Sequence, residues 1–306
     1  MNDQQNANDV PRRQFVALSG AVGAATLLTG AAALSGGTAA AASGGDAGPT
    51  PDTCPTTPPP PGGASPCPPA QLQGICGRPT DNEPLWNDVQ YCVNGTVPPS
   101  GQKPDCLKMT PNYIVLHGKP QSTQNYLLVP TCRITGIECP FLETSGVANY
   151  WHEAWETGRS GGDVPVQSRY IGFGINSQGA RQLNQLHIHM AGVRPSTQRR
   201  LQDLEAQGRM ATSPSQWAAP ANHAPITGTG GDREYRILRL PNLTVNLFDL
   251  VYRYVARPNS LSMADQTIIV VPKITATGGF ANAFYVLNSD NSLHDGTSTC
   301  DRLLVY

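Results

Sequence analysis

Short runs of leucine, β-branched and aromatic residues, interrupted by Gly, Pro and Asn, recur from about residue 110 to the end of the chain. Runs of this length between turn residues are typical of β-strands. The segments with this pattern are residues 112–116, 124–130, 170–176, 185–193, 267–274 and 283–287. The first two segments flank Gly118-Lys119-Pro120 and predict a hairpin, and the last two predict a second antiparallel pair.

Two other segments have the spacing of helices. Residues 149–158 place Trp151 and Trp155 four positions apart and end at a glycine, and we expect both indoles to lie in the core. Residues 196–208 begin with a serine that can cap a helix, are rich in helix formers and end at a glycine. Several strands with few helices predict an α+β fold built on an antiparallel β-sheet.

The first 42 residues have the composition of an export signal. Arg12 and Arg13 precede a weakly apolar stretch at residues 17–34, and the small residues at 39–42 offer a cleavage site. Paired arginines before such a stretch resemble a twin-arginine signal, which carries folded proteins across the bacterial inner membrane. The alternative is an uncleaved membrane anchor. We therefore expect a protein that is exported by the twin-arginine route and is secreted or associated with the cell envelope.

Residues 43–71 are dominated by Pro, Gly, Thr and Ser. Proline breaks helices and has no backbone donor for a sheet, so this segment is expected to be an extended spacer. The remaining residues, 72–306, then form one folded domain, which is large enough for a hydrophobic core of its own.

Composition excludes several classes of protein. Only 14% of the residues are charged, against roughly 25% in an average soluble domain, and the formal net charge is −1. Nucleic-acid binders usually carry a strong positive patch, so we expect no nucleic-acid partner. With 39% hydrophobic and 7% aromatic residues the chain can build a core, which excludes a fully disordered chain.

The eight cysteines predict disulfide bonds, because exported proteins keep their thiols oxidised. Many pairings are possible, and proximity in sequence favours Cys92–Cys106 and Cys132–Cys139. Cys54–Cys67 and Cys76–Cys300 would complete the set and leave no free thiol. A metal site at Cys132 and Cys139 is the alternative, but no C-x-x-C spacing or adjacent histidine supports it.

The segment at residues 185–191 carries the chemistry-bearing pattern of this sequence. In a strand, side chains two positions apart lie on the same face, about 6.5–7 Å from each other. Gln185, His187 and His189 would therefore share one face, which we expect to be exposed. The other face would carry Leu186, Ile188 and Met190 toward the core. Two imidazoles side by side suit a phosphate ester, because one can attack phosphorus while the other polarises an oxygen.

Two other interpretations of this pattern remain open. The three residues could be ordinary polar groups on a solvated sheet face. Alternatively, H-x-H on a strand can supply two zinc ligands, for which a third ligand would have to come from elsewhere. The histidines that could supply it are His117, His152, His223 and His294. We expect neither a metal nor another cofactor, because the two imidazoles already supply a nucleophile and a polarising group.

The residues 174–195, GINSQGARQLNQLHIHMAGVRP, resemble the active-site segment of bacterial CDP-diacylglycerol pyrophosphatases. These enzymes belong to the histidine-triad (HIT-like) superfamily. The similarity extends to residues 113–116, 126–131 and 133–136, and covers the chain from about Trp86 to its end. The combined pattern INS, N-x-x-H-I-H and RP is specific, whereas H-x-H alone would be a weak signal.

The resemblance implies an enzyme of HIT-like fold that hydrolyses CDP-diacylglycerol to CMP and phosphatidate. In the family pattern three polar residues stand at alternate positions and the middle one is the nucleophile. That position is His187 here, and His189 takes the third place, where it would contact the phosphate. The first place, a histidine in the family, is Gln185 in this chain. An amide can still donate and accept hydrogen bonds, so we expect Gln185 to keep part of that orienting role.

The resemblance also implies substrate-binding residues. Asn176 and Asn184 would bond the sugar or the phosphates, although both could instead serve turns between strands. Arg194 could grip the departing phosphate with two hydrogen bonds or be a plain surface charge. Lys119 and Arg133 are weaker candidates for the same task.

Other functions fit the same residues. The enzyme could hydrolyse a soluble nucleoside diphosphate compound such as a nucleotide-sugar, because the CDP-lipid pool lies mainly on the cytoplasmic side. It could also be a secreted nucleotide-binding module without catalysis, with Gln185 as the relevant change. The lipid substrate predicts an apolar groove near His187 and contact with a membrane surface, and the nucleotide-sugar does not.

Overall fold

The computed structural model describes residues 66–306, so the predicted export signal and residues 43–65 of the spacer lie outside the described residues. Five α-helices are present within this part of the chain: α1 Gln73–Cys76, α2 Pro84–Asn94, α3 Tyr150–Gly158, α4 Pro195–Ala206 and α5 Leu247–Val251. Its ten strands are β1 Lys108–Met109, β2 Tyr113–Ser122, β3 Asn125–Pro130, β4 Ile171–Ile175, β5 Ile188–Val193, β6 His223–Gly228, β7 Gly231–Leu240, β8 Thr267–Ile274, β9 Phe280–Ser289 and β10 Leu304–Val305.

All ten strands belong to one sheet. Nine of them follow the order β1-β2-β3-β5-β4-β8-β9-β7-β6, and β10 pairs with β5. Every pairing between these strands is antiparallel. A large antiparallel sheet with a few helices is the α+β class predicted from the strand and helix patterns. Both predicted antiparallel pairs, β2 with β3 and β8 with β9, are also present.

The turn of the first hairpin lies later in the chain than predicted. The three residues Gly118, Lys119 and Pro120 are part of β2. Ser122 and Asn125 pair across the hairpin, and the two residues between them form its turn. The ladder is irregular between His117 and Ser122, so no ladder donor is needed at the proline. A Gly-Lys-Pro run that resembles a turn therefore marks a bulged strand instead.

The helix ends follow local capping chemistry. The side chain of Asn149 accepts from the amide of His152 at 3.2 Å and begins α3. Helix α4 begins one residue earlier than predicted, because Pro195 takes the first helical position and Ser196 does not cap it. Gly208 has a φ of 66°, which ends this segment at the predicted glycine.

Both faces of the sheet are covered by apolar side chains. Trp151 and Trp155 of α3 are buried with Phe173 in the largest cluster, which confirms the core role predicted for the two indoles. Helix α2 lies on the other face, above β2 and β3. Its buried cluster consists of Leu85, Trp86, Val89, Ile114, Leu116, Leu127 and Val129.

The disulfide pairing differs from the one expected from proximity. Cys92–Cys106 is present as predicted, but Cys67 pairs with Cys132 and Cys76 pairs with Cys139. The predictions Cys132–Cys139, Cys54–Cys67 and Cys76–Cys300 are therefore wrong. The segment before α2 packs across the loop after β3, so each cysteine of that loop meets a partner more than 60 residues away.

Cys300 is a buried free thiol, which contradicts the expectation of a fully oxidised set, and Cys54 lies outside the described residues. Three disulfides still fit an oxidising compartment of the kind that exported proteins meet. Within residues 66–306, no helix has the length and the apolar character that crossing a membrane requires.

Candidate active site

The H-x-H segment enters the sheet later than its alternation predicts. Strand β5 begins at Ile188, and residues 185–187 are irregular. They are held by bonds outside the sheet, including the amide of Leu186, which donates to the carbonyl of Ile134 at 2.6 Å. Leu186, Ile188 and Met190 are buried as predicted. The opposite side is not a solvated face, however, because His187 is only 8% exposed.

Gln185 does not share a surface with the two histidines. Its side chain is fully buried, and its Nε2 donates to the carbonyls of Pro130 and Cys132 at 3.2 and 2.9 Å. Its Oε1 accepts from Nη1 of Arg133 at 2.9 Å and from the amide of Ile134 at 3.3 Å. The side-chain amide of Gln185 therefore binds the end of β3 and the loop after it, rather than the ring of His187 that the resemblance implied it would help to orient.

His187 is held in one tautomer by a backbone carbonyl. Its Nδ1 lies 2.7 Å from the oxygen of Gln185, and a carbonyl can only accept, so Nδ1 carries the proton. In the neutral ring, Nε2 then carries a lone pair. Burial lowers the pKa of His187, and the nearby Arg181 lowers it further, against an opposing effect of the Gln185 carbonyl and Asp301. The imidazole is thus neutral at neutral pH, and its Nε2 carries an unprotonated lone pair.

His189 lies beside His187 and bonds a tyrosine. The two imidazole centroids are 4.9 Å apart and their planes are tilted by 66°. Nδ1 of His189 is 3.3 Å from the hydroxyl of Tyr306, which also donates to Oδ1 of Asp301. Burial lowers the pKa of His189, His187 lowers it further, and Asp301 opposes both. Both histidines are therefore neutral in the resting site.

A turn after residue 298 brings Asp301 to the histidines. Asn176 holds this turn, because its Oδ1 accepts from Oγ1 of Thr299 and from the amide of Cys300, both at 2.8 Å. Its Nδ2 donates to Asp301 at 3.4 Å. Gly174 permits the approach, since a Cβ there would stand 2.6 Å from Cβ of Cys300.

A cavity of about 390 Å³ opens onto this group. Its polar wall contains His187, His189, Asn176, Asp301 and Tyr306. Its apolar wall is formed by residues that belong mainly to α2, β2, β3 and the loop before β5. They are Pro84, Leu85, Leu116, Leu127, Ala180 and Leu183.

A second cavity, of about 750 Å³, shares residues of α2 and β2 with the first. Two charged groups stand at the border of both: Lys119 and Asp88. Burial raises the pKa of Asp88 to about 6, with Lys119 opposing and Glu83 and Asp105 adding to the rise. The two cavities are therefore neighbours, and the one that contains the histidines, which we call the groove, has one polar and one apolar side.

Asn184 and Arg194 do not line either cavity. The side-chain oxygen of Asn184 accepts a hydrogen bond from Nε of Arg181 at 3.1 Å, and its backbone amide donates to the carboxylate of Glu83. Arg194 follows the far end of β5 and donates to Oγ1 of Thr229 at 2.7 Å. Arg194 lies five residue steps along the chain from His189, which corresponds to about 16 Å in an extended strand. Of the six site residues expected from the sequence, the structure brings His187, His189 and Asn176 together.

The residues that sequence reasoning missed are Asp301, Tyr306 and Asp88. Asp301 and Tyr306 stand more than 110 positions after His189, with no motif around them. The sequence also did not indicate the contact of Glu138 beside the site. Its carboxylate accepts from both terminal nitrogens of Arg181 at 2.6 Å. Such contacts depend on the fold, so no local pattern signals them.

One cluster near the cavity could offer metal ligands. Atoms of His189, Cys300 and Asp301 lie within 4.8 Å of one another. The Tyr306 hydroxyl already bonds two of these groups, and burial raises the pKa of the Cys300 thiol well above its usual value. In this structure His189 and Asp301 are therefore joined by hydrogen bonds through the Tyr306 hydroxyl. In the zinc hypothesis, four other histidines could supply the third ligand. Of these four, His117 is the one that lines the cavity of His187 and His189.

A comparison with known protein families covers most of the described chain. Residues 80–304, more than two thirds of the chain, match the family described as CDP-diacylglycerol pyrophosphatase. The matched region contains α2, the H-x-H segment, Asn176 and Asp301. Enzymes of this family are hydrolases of a nucleotide-lipid. The chain therefore belongs to the CDP-diacylglycerol pyrophosphatase family.

Proposed function

We propose that the enzyme hydrolyses CDP-diacylglycerol to CMP and phosphatidate through a covalent nucleotidyl intermediate on Nε2 of His187. The observation that supports this most directly is the bond from Nδ1 of His187 to the carbonyl of Gln185, at 2.7 Å. It fixes the tautomer in which Nε2 is the nucleophilic nitrogen, and burial keeps that nitrogen unprotonated.

In the first step, Nε2 of His187 attacks the phosphorus that carries cytidine. A nitrogen–phosphorus bond forms and the bond from that phosphorus to the bridging oxygen breaks, so phosphatidate leaves with the electron pair. The ring of the intermediate keeps its Nδ1 proton and carries a positive charge, which the Gln185 carbonyl stabilises. A positively charged imidazole is a good leaving group, so the intermediate is ready for hydrolysis.

The groove has the two characters that a nucleotide-lipid needs. Leu85, Leu116, Leu127 and Leu183 form an apolar wall next to His187, where the beginning of the acyl chains can lie. Among the described residues that line this cavity, Lys119 is the only one with an ammonium or guanidinium group. We assign Lys119 to the diphosphate, because its charge matches the substrate.

The roles of the other expected residues follow from their contacts. Asn176 positions the turn that carries Asp301 and can also face the substrate from the cavity wall. Gln185, Asn184 and Arg194 act on the fold in this proposal, since their side chains bond protein groups outside the cavity. The HIT-like classification is part of the same proposal.

The proposal includes export through the twin-arginine route. Residues 1–42 would be the signal, 43–71 the spacer and 72–306 the enzyme domain, which would meet its substrate at a membrane surface. Replacing Arg12 and Arg13 by lysines should leave precursor in the cytoplasm, because that route reads the arginine pair. Normal export of the double lysine variant would favour another route or an anchor.

The decisive experiment follows the phosphorus and the adduct together. Hydrolysis in heavy-oxygen water should place the label in CMP and none in phosphatidate. A quench without acid should trap CMP on the peptide that contains His187. His187→Ala should abolish the adduct and lower kcat by about three orders of magnitude or more. His294→Ala is the matched control, because that side chain is 97% exposed.

The other candidate functions correspond to different results. Label in phosphatidate would mean attack at the other phosphorus, and a CMP product without any adduct would mean direct attack by water. Faster turnover of UDP- or ADP-sugars than of CDP-diacylglycerol would favour the nucleotide-sugar function, and nucleotide binding without turnover would favour a binding module. Activity should persist in EDTA, whereas loss that zinc restores would favour a metal-activated water.

A further inference from the structure

The hydrogen-bond chain that begins at His189 ends on a carboxylate. Nδ1 of His189 lies 3.3 Å from the hydroxyl of Tyr306, and the two rings are 5.6 Å apart. The same hydroxyl bonds Oδ1 of Asp301. Three residues from two distant segments therefore form one line that ends at the wall of the His187 cavity.

The direction of each hydrogen bond follows from donor chemistry. Burial raises the pKa of Tyr306, and the nearby Cys300 and Asp301 raise it further, so the phenol keeps its proton. A carboxylate only accepts, which makes Tyr306 the donor to Asp301. The phenol oxygen is then the acceptor for His189, whose Nδ1 must carry the proton. Nε2 of His189 is left with its lone pair.

That lone pair has no partner in the resting site. Nε2 of His189 is buried and has no hydrogen bond to any of the described residues. A buried acceptor without a donor is unfavourable, and a catalytic role is one of the reasons for which a protein retains such an atom. The neighbouring group is the His187 ring, 4.9 Å away between centroids. Both rings line the same cavity, so a water molecule that approaches phosphorus bound to His187 comes next to the His189 ring.

The acid end of the chain is held in place by the protein. The amide of Asp301 donates to Oγ1 of Thr299 at 3.1 Å, and Asn176 donates to its second carboxylate oxygen at 3.4 Å. Burial alone would raise the pKa of Asp301, but the bonds from Tyr306, Thr299 and Asn176 and the proximity of His189 give a net lowering. Asp301 is thus a fixed negative charge behind Tyr306.

We propose that Tyr306 and Asp301 are positioning residues that make His189 the general base of the second step, in which water hydrolyses the nucleotidyl-His187 intermediate. This inference rests on the proposed covalent mechanism. The arrangement corresponds to a histidine oriented by a carboxylate, with a phenol hydroxyl between the two.

The second step balances as follows. Water gives one proton to Nε2 of His189 while its oxygen bonds to phosphorus. The bond from phosphorus to Nε2 of His187 breaks, and its electron pair returns to that nitrogen, which leaves CMP and a neutral His187. The imidazolium of His189 still donates its Nδ1 proton in a hydrogen bond to the Tyr306 oxygen, and the Asp301 carboxylate stabilises the positive charge of the ring. Its added proton then passes to solvent.

The test is the kinetics of the two products in Tyr306→Phe and Asp301→Asn. Rapid mixing with CDP-diacylglycerol should give a burst of phosphatidate equal to the enzyme concentration, followed by slow release of CMP. We expect the second step to slow at least tenfold, since a positioned base contributes about 10²–10⁴ in rate. The first step should stay within about threefold of the parent rate, and the His187 adduct should accumulate. Tyr150→Phe is the control, because that hydroxyl is also buried but has no hydrogen-bond partner among the described residues.

A spectroscopic measurement tests the positioning without turnover. Nitrogen chemical shifts of labelled His189 should show the Nδ1–H tautomer in the parent and a tautomer mixture in Tyr306→Phe. If both variants slow the two steps equally, or if the tautomer of His189 does not change, the positioning role is wrong. If the parent forms no adduct and His187→Ala stays active, the proposed covalent mechanism itself fails. The tautomer measurement then still decides whether Tyr306 positions His189. Melting curves of each variant separate either outcome from unfolding.

Discussion

Replacing Gln185 by methionine tests whether this residue acts on the fold or on the chemistry. Methionine has a similar length and volume, so the substitution leaves no large cavity and removes only the polar groups. In the structure the side-chain amide makes four hydrogen bonds to the loop after β3. The same segment carries Cys132, which is part of a disulfide.

The magnitude follows from what the loop loses. Nη1 of Arg133 keeps the carbonyl of Asn184, so it is the partner least affected. Of the other three groups, the carbonyls of Pro130 and Cys132 and the amide of Ile134, we take two as unable to find a new partner. Each buried polar group left unpaired costs about 1–3 kcal/mol, which gives a loss of about 4 kcal/mol. That is a large share of the 5–15 kcal/mol typical of a folded domain.

Urea denaturation of the oxidised protein measures this loss directly. The unfolding midpoint of Gln185→Met should fall with little change in the slope, because the surface exposed on unfolding is nearly the same. Below its unfolding transition, the variant should retain most of its kcat. Gln178→Met is the control, since Gln178 is exposed and its replacement should change stability by less than about 0.5 kcal/mol.

The opposite result would refute the reasoning. An unchanged midpoint together with a collapse of kcat would show that the side-chain amide acts on the chemistry, as the orienting role that the family pattern implied would require. The network described around Gln185 would then have no energetic importance.

Three further predictions concern titration and thiol chemistry. Because burial lowers the pKa of His187, its neutral form persists as the pH falls. The acid limb of the pH profile of kcat/KM should therefore have its midpoint below about pH 6.5, the pKa of an unperturbed histidine. A midpoint above that pH would contradict the role of His187 as the proposed nucleophile. The pKa of Asp88 is raised to about 6, so the folded state binds more protons than the unfolded state between about pH 4 and 6, and stability falls as pH rises through that window. Asp88→Asn should therefore be more stable than the parent at pH 8, by about 1 kcal/mol after allowance for its partial exposure, and equal to it at pH 3 in urea titrations. Cys300 should resist iodoacetamide in the native protein and react after unfolding without reductant, and alkylation of the native protein would show that the thiol is accessible.

Local patterns in the sequence were sufficient for six of the ten described strands and two of the five described helices, whereas α1, α2, α5, β1, β6, β7 and β10 were not predicted. Helix α3 begins where Asn149 can cap it. Strands β8 and β9 coincide with apolar runs that predict an antiparallel pair from the sequence alone. The α+β class was confirmed on these grounds. The hairpin turn was misplaced because Gly118-Lys119-Pro120 has the composition of a turn, whereas the bulge that accommodates it depends on register.

Long-range contacts were not available from the sequence. Proximity suggested Cys132–Cys139, but the real partners, Cys67 and Cys76, come from a segment that packs across the loop in three dimensions. For the same reason Asp301 and Tyr306 could not be assigned to the site, because only the fold brings their turn against Asn176. Pairwise contacts of high sequence separation follow from packing, and packing is not encoded in any single window of residues.

The change from histidine to glutamine at position 185 illustrates how these levels combine. From the sequence, the change predicts a partial loss of orientation, since the resemblance implies that the first member of the triad orients the nucleophile. In the structure, the backbone carbonyl of residue 185 holds Nδ1 of His187, and every amino acid provides that carbonyl. The side chain of Gln185 is free to bind the neighbouring loop and to fix the position of the same carbonyl. His187, the proposed nucleophile, therefore keeps its orientation although the triad pattern is broken, and His189 at the third position obtains its own partner from Tyr306.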